Sequence, residues 1–128
     1  MEDNELLELA AKAAEYEFKL GGFDLHGKQV YMAKPHDEHF FRAPWNPLTD
    51  DGDALRLAAR LRFDVRIGSM DTEVSPYASN GWSHKGTVES HNGDTCAATR
   101  RAIVLAAASL ASHPNAILNK LDDDGLTH

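Results

Sequence analysis

The sequence contains almost no cysteine: Cys96 is the single one among 128 residues. One thiol excludes an internal disulfide and suits a reducing compartment such as the cytoplasm. The N-terminal stretch Met1–Glu5 is acidic, whereas a secretory signal has a basic start and an apolar core. The longest apolar run, Ala102–Ala108, is far shorter than the roughly 20 residues that span a bilayer. We therefore expect a cytoplasmic protein that makes no use of a membrane.

Basic residues are outnumbered, with 13 Lys and Arg against 20 Asp and Glu and a net charge of −7. Residues 1–20 hold six acids and two lysines (net −4), and residues 114–128 hold three acids and one lysine (net −2). Because negative charge repels phosphate, nucleic-acid binding is disfavoured. An acidic DNA mimic that inhibits a host nucleic-acid enzyme is one alternative. Mimicry calls for charges spaced along one face, however, and here they gather at the ends.

Catalytic signatures are missing too. The sequence has no Ser-His-Asp signature, phosphate-binding loop, dinucleotide fingerprint or CxxC pair. Cys96 falls in the first turn of a predicted helix, but a cysteine nucleophile needs an activating base such as His91 or His84. Nothing in the sequence places a base beside it. We therefore predict no catalytic residue and no cofactor.

The residues that are present have the composition of a globular protein, with 42% hydrophobic and 26% charged residues. The length suits a single domain over residues 1–128, with an acidic tail that frays from about residue 122. Apolar residues three and four apart predict a helix over 3–20, which Gly21-Gly22 ends. The same spacing predicts a second helix over 50–61, capped by Thr49 or Asp50. The turn Asn92-Gly93-Asp94 leads into a third helix over roughly 95–112, which Pro114 ends.

The third predicted helix is apolar on more than one side, so it must be covered on more than one side. A sheet can cover one side, and either another helix or a second subunit can cover the other. A homodimer through this helix is therefore an open alternative.

The strands are predicted from alternation and from turn residues. Residues 23–33 form a weak hairpin around His26-Gly27, and the proline-rich residues 34–49 are irregular. Strands follow over 62–68, 72–78 and 82–91. Short links between them favour an antiparallel meander. The predicted fold class is α+β: an antiparallel sheet of three to five strands packed with helices around a helix–three strands–helix core.

Two stretches resemble a known family. The run Trp-Asn-Pro-Leu-Thr-Asp at residues 45–50 leads into the second helix, and Asp94-Thr95 leads into Arg101-Ala102-Ile103 and Ala106-Ala107. Together with the strand spacing between them, this pattern resembles the phage ABA-sandwich domain family, small phage or prophage proteins that overlap in pattern with the NinX-like proteins. The resemblance covers roughly residues 40–112. It implies an α/β sandwich and no established reaction.

The loop over 35–49 carries the first candidate site. His36-Asp37-Glu38-His39 offers imidazole and carboxylate groups, which are ligands for zinc and related ions. A metal site based on His36 and His39 needs help from His26, His84 or His91. The alternative is a solvated polar loop. A small-ligand or metal-binding protein that uses this loop is therefore one functional alternative.

Charged residues supply two more candidates. Asp50, Asp51 and Asp53 suit acid–base chemistry, but they also sit where a helix N-terminus favours negative charge, and capping is the preferred interpretation. Several arginines could bind phosphate or an acidic partner, or could simply pair with neighbouring acids. These arginines are Arg56, Arg60, Arg62, Arg66, Arg100 and Arg101.

The aromatic residues of the same loop give the leading hypothesis. Phe40, Phe41 and Trp45 form either an aromatic patch for a partner or, for Trp45 with Asn46, a structural turn that covers the core. We predict a non-enzymatic phage or prophage accessory protein in the cytoplasm of an infected or lysogenic host. It acts by binding a host or phage protein. The predicted contact residues are Phe40, Phe41, Trp45, Asn46, Arg56 and Arg60.

Overall fold

The computed structural model describes residues 2–40, 44–76 and 86–112. Within these residues the predicted α+β class is confirmed: three helices pack with two antiparallel sheets, one of two strands and one of three. No helix in this part combines the length and apolar character needed to cross a membrane. The elements are α1 (Asp3–Ala13), β1 (Tyr16–Phe23), β2 (Gln29–Pro35), α2 (Asp51–Leu61), β3 (Phe63–Ile67), β4 (Asp71–Pro76), β5 (Thr87–Ser90) and α3 (Thr95–Ser112).

The first helix is shorter than predicted. The expected helix over 3–20 is wrong, because α1 ends at Ala13 and β1 begins at Tyr16. Glu15 adopts a left-handed conformation with φ 61°, and its N–H donates to the carbonyl of Lys12 at 3.1 Å, which closes the helix. The predicted stop at Gly21-Gly22 is also wrong. These glycines lie inside β1, where the pairing register shifts between Leu20 and Phe23.

The left-handed residue after α1 gives a stability prediction. Replacing Glu15 with glycine is expected to stabilise the protein by about 1 kcal/mol, since a residue with a Cβ is strained at positive φ. Urea unfolding measures the change. Glu15→Ala is the matched control: it removes the same carboxylate but keeps the Cβ, so it should bring no such gain. Equal stability of the glycine and alanine variants would contradict the prediction.

β1 and β2 form a long hairpin, in which Phe18 lies opposite Ala33 and Leu20 lies opposite Tyr31. The predicted turn at His26-Gly27 is confirmed, with Gly27 at φ 78°. The Asp24 carboxylate accepts the backbone N–H groups of His26 and Lys28 at 2.8 and 2.9 Å and so fixes the turn. The predicted irregular loop starts too early, since Lys34 and Pro35 belong to β2.

The second half follows the predicted order. α2 begins after Asp50, whose carboxylate accepts the N–H of Asp53 at 2.8 Å, so the capping interpretation is confirmed for this residue. β3, β4 and β5 form the meander, with Val65 opposite Val74. The described part of the third predicted strand is Thr87–Ser90, and the predicted strand residues 77–78 and 82–85 lie outside the described residues, as does the tail from 122.

α3 forms the centre of the core. One side packs on the three-stranded sheet, and α1 and α2 pack on its other sides. Alanines allow close approach, as at Ala10 of α1 and Ala107 of α3, neither of which is exposed. Covering by α1 is the first of the two alternatives that the sequence allowed. The apolar character of α3 therefore calls for no second subunit.

Candidate functional site

Trp45 joins the hairpin to the body of the protein. Its side chain is buried, with the residue only 3% exposed. The indole meets the rings of Tyr16 and Phe18 edge-on, with centroids 6.1 Å away in both cases. Its backbone N–H donates to the carbonyl of Tyr31 at 2.7 Å. These contacts support the structural interpretation of Trp45, and they leave its ring inaccessible to a partner in this conformation.

Asn46 and Asp53 fasten the turn before α2. The Asn46 side chain accepts the N–H of Leu48 at 3.0 Å, and its carbonyl accepts the N–H of Asp50 at 2.9 Å. The Asn46 N–H donates to the carboxylate of Asp53 at 2.9 Å, and Arg56 donates to the other oxygen of that carboxylate at 2.7 Å. Asp53 is 6% exposed, so it acts as a buried structural anchor for the turn.

Two of the predicted contact arginines have local partners. Arg56 pairs with Asp53 and lies 3.8 Å from Asp50, and the hydrogen bond that the Arg56 guanidinium donates to the Asp53 carboxylate raises the pKa of the guanidinium above its usual value. Arg60 donates to the carbonyl of Ala14 at 2.9 Å and lies over the ring of Tyr16, 5.1 Å from its centroid. Arg60 thereby holds α2 to the segment that joins α1 and β1, whereas the contacts of Arg56 stay within α2 and its N-cap.

The other four predicted arginines lie at the end of α2, on β3 and on α3. Arg100 donates to Asp51 at 2.6 Å and to the carbonyl of Leu48 at 2.9 Å, and so links α3 to the turn before α2. The remaining pairs are Arg66 with Asp64 at 3.2 Å and Arg101 with Glu89 at 3.5 Å. Arg62 is exposed and ends α2 in a left-handed conformation. Four of these six arginines, Arg56, Arg66, Arg100 and Arg101, therefore pair with acids at separate places in the described residues.

The histidine loop lies beside the hairpin. His36 and Lys34 both approach Glu17, at 3.4 and 3.2 Å. Hydrogen bonds from Lys34 and then from His36 hold the pKa of the Glu17 carboxyl below its usual value. His39 is exposed. No three His, Cys, Asp or Glu side chains converge as a metal-ligand set within residues 2–40, 44–76 and 86–112. His84 lies outside these ranges.

His91 has a structural environment. It is 8% exposed, and its Nε2 lies 2.9 Å from the hydroxyl of Thr72, which in turn lies 2.9 Å from the hydroxyl of Thr99. This buried chain ties β4 to the start of α3. Cys96 is exposed in the first turn of α3, and no base among the described residues is hydrogen-bonded to its thiol.

The exposed apolar side chains mark a surface that the sequence did not predict. Phe40 is 84% exposed, as the aromatic-patch hypothesis requires, while Phe41 lies outside the described residues and Asn46 is half-buried. A larger group lies on the hairpin, whose outer end we call the hairpin tip (residues 20–28). Leu20, Phe23 and Leu25 are exposed there by 54%, 73% and 103%. In the sequence these three apolar residues flank Gly21-Gly22, with polar residues between them and beside them.

A cleft of about 580 Å³ lies between α1 and the base of the hairpin. Its lining combines two carboxylates, an ammonium group, an imidazole and two aromatic rings. The lining residues are Glu8, Lys12, Glu15, Tyr16, Phe18 and His36. A small molecule that carries both polar groups and an apolar part would find contacts of each kind here.

Comparison of the chain with protein-family models, with curated proteins and with solved structures finds no match. The resemblance to the phage ABA-sandwich family therefore stays a prediction.

Proposed function

We propose that the protein is a small phage or prophage accessory protein that acts without catalysis, by binding a host or phage protein in the bacterial cytoplasm. The observation that carries the proposal is the hairpin tip, where Leu20, Phe23 and Leu25 are all exposed within six residues of one hairpin. Water-exposed apolar groups gathered in one place are typical of protein-binding surfaces. The tip replaces Trp45, whose ring is buried, as the proposed contact surface.

The chemistry of the remaining candidate residues supports a binding role over a catalytic one. The described aspartates at the start of α2 cap the helix or pair with arginines, so their carboxylates already have structural partners. The acidic DNA mimic is the weaker alternative, because the surplus negative charge lies at the two ends of the sequence rather than in an array along one face. The resemblance to small phage proteins is the remaining support.

Capture from host lysate tests this function. The immobilised wild-type protein is expected to retain one host or phage protein near stoichiometrically from a nuclease-treated lysate, identified by mass spectrometry. The double variant Phe23→Ser, Leu25→Ser removes the apolar tip and should lower that capture about tenfold or more, as expected when central apolar contacts are lost. Both side chains are exposed, so the fold should persist.

The matched control is Leu55→Ser. Leu55 is 69% exposed, close to the 73% of Phe23, but it lies on α2 rather than on the hairpin. Its replacement removes a comparable exposed apolar group and should leave the capture unchanged. Equal capture by the tip variant, or no captured protein with folded wild-type bait, would contradict the proposal.

The cleft beside His36 favours a second candidate function, binding of a small ligand. His36 belongs to the 35–49 loop that the sequence singled out, and it lines the cleft together with Glu8 and Glu15. A metabolite library screened by thermal shift would test this function. The candidate predicts a ligand whose stabilisation disappears in Tyr16→Ala but persists in Leu55→Ser.

A further inference from the structure

The outer edge of β1 is the feature of the hairpin that the proposed function leaves unused. β2 pairs with β1 on one side, and within the described residues no strand pairs on the other. A hairpin of two strands is marginally stable alone, and an open strand edge is a template for further pairing. Glu17, Lys19 and Leu20 are exposed along this strand.

The direction of the backbone groups on that edge follows from one hydrogen bond. Tyr31 lies opposite Leu20, and its carbonyl accepts the N–H of Trp45, so it points away from β1. Opposed residues in an antiparallel pair alternate between those that bond each other and those that point outward. Leu20 therefore directs its N–H and C=O outward, and so do Phe18 and Tyr16, two and four positions earlier.

The side chains along this edge are complementary to those of a second copy of the same segment. Residues 16–20 read Tyr-Glu-Phe-Lys-Leu, which is apolar, acidic, apolar, basic, apolar. When this segment meets a second copy running antiparallel about Phe18, each Glu17 lies opposite Lys19 of the other copy. Tyr16 then lies opposite Leu20, and the two Phe18 rings lie side by side. The charged pairs occupy the non-hydrogen-bonded positions, where opposed Cα atoms approach to about 4.5 Å.

We infer that the occupant of this edge is a second copy of the chain, paired antiparallel along residues 16–20 to form a continuous four-stranded sheet. The contact has two-fold symmetry, so the Glu17–Lys19 and Tyr16–Leu20 pairs each occur twice, and the Phe18 pair lies on the axis. Glu17 would then lie between Lys34 on the β2 side and the second copy's Lys19 on the other. Leu20 belongs to both the paired segment and the hairpin tip, whereas Phe23 and Leu25 lie beyond the paired segment, so the dimer leaves these two side chains outside the new interface. The partner proposed for the tip can therefore still reach Phe23 and Leu25 in the dimer.

Charge reversal tests the pairing by sedimentation equilibrium of the full chain. The wild type is expected to sediment at twice its mass of 14.1 kDa. Lys19→Glu places Glu opposite Glu17, and Glu17→Lys places Lys opposite Lys19, so each variant alone should raise the dimer dissociation constant about tenfold or more. An equal mixture of the two variants restores both opposite-charge pairs and should recover the dimer.

Lys28→Glu is the matched control, because it makes the same charge change on the hairpin outside residues 16–20. Its dimerisation should equal that of the wild type, and circular dichroism should show all variants folded. A wild type that sediments as a monomer at the highest soluble concentration would overturn the inference. So would a dimer that neither reversal weakens, or single variants whose mixture stays monomeric. Capture by the tip variants is measured separately, so failure of one proposal is distinguishable from failure of the other.

Discussion

Replacing Trp45 with alanine is expected to destabilise the protein by about 3–5 kcal/mol, the range for removing a large buried aromatic side chain. The indole is 3% exposed and contacts Tyr16 and Phe18 of the hairpin, so its loss leaves a cavity between the hairpin and the body. Urea unfolding measures the loss. Trp45→Phe keeps an aromatic ring in the site and should lose less.

The same substitution separates the two roles that the sequence allowed for Trp45. A structural residue loses stability when truncated, and hydrogen exchange of β1 and β2 should rise because the hairpin is fastened less firmly. A partner-contact residue would instead weaken capture at unchanged stability. Leu55→Ala, at 69% exposure, is the control and should stay within about 0.5 kcal/mol of the wild type. A similarly small effect for Trp45→Ala would contradict the structural role.

The second half of the fold was predictable because its signals are local. α2 begins where Asp50 caps it, and its apolar residues at three and four spacings face the core. α3 begins at Thr95 as predicted, since the Asp94 carboxylate before it accepts the N–H of Ala97 at 2.9 Å and so caps the first turn. In each case the residues that decide the boundary lie next to it in the sequence.

The border between α1 and β1 was not predictable by the same means. Tyr16 and Leu20 continue the helical spacing of Leu6, Leu9 and Ala13, but Tyr16, Phe18 and Leu20 also alternate as in a strand. The choice is made by contacts from distant residues: Trp45 packs on Tyr16 and Phe18, and Tyr31 stacks on Phe18 with centroids 6.0 Å apart. A sequence window around residue 16 contains neither partner.

The candidate site was predictable only in part for a related reason. The 35–49 loop contains aromatic side chains that either pack against the rest of the protein or stay exposed for a partner. The structure shows one example of each. Trp45 is buried, whereas Phe40 is 84% exposed. Which ring is covered depends on where the hairpin folds. The exposure of Phe23 and Leu25 likewise follows from how far the hairpin projects, which no local pattern encodes.

Replacing Asp53 with alanine is expected to cost about 2–4 kcal/mol of unfolding free energy, because a buried carboxylate with several donors is removed at once. Its two oxygens accept the Asn46 N–H and the Arg56 guanidinium, and its charge lies in the first turn of α2, where the helix dipole favours it. Asp64→Ala breaks an exposed pair with Arg66 and should cost less than about 1 kcal/mol.

A double-mutant cycle with Arg56 shows which of these bonds matters. The Arg56 side chain is 52% exposed, so after truncation of its partner water can solvate it, whereas the Asn46 N–H is held in the turn. Arg56→Ala alone should therefore cost less than Asp53→Ala, and most of the Asp53 effect should persist in the Arg56→Ala background. If the two single variants and the double variant all lose the same free energy, the ion pair and not the backbone bond holds the turn. The Trp-Asn-Pro-x-Thr-Asp stretch would then depend on a surface contact rather than on its buried anchor.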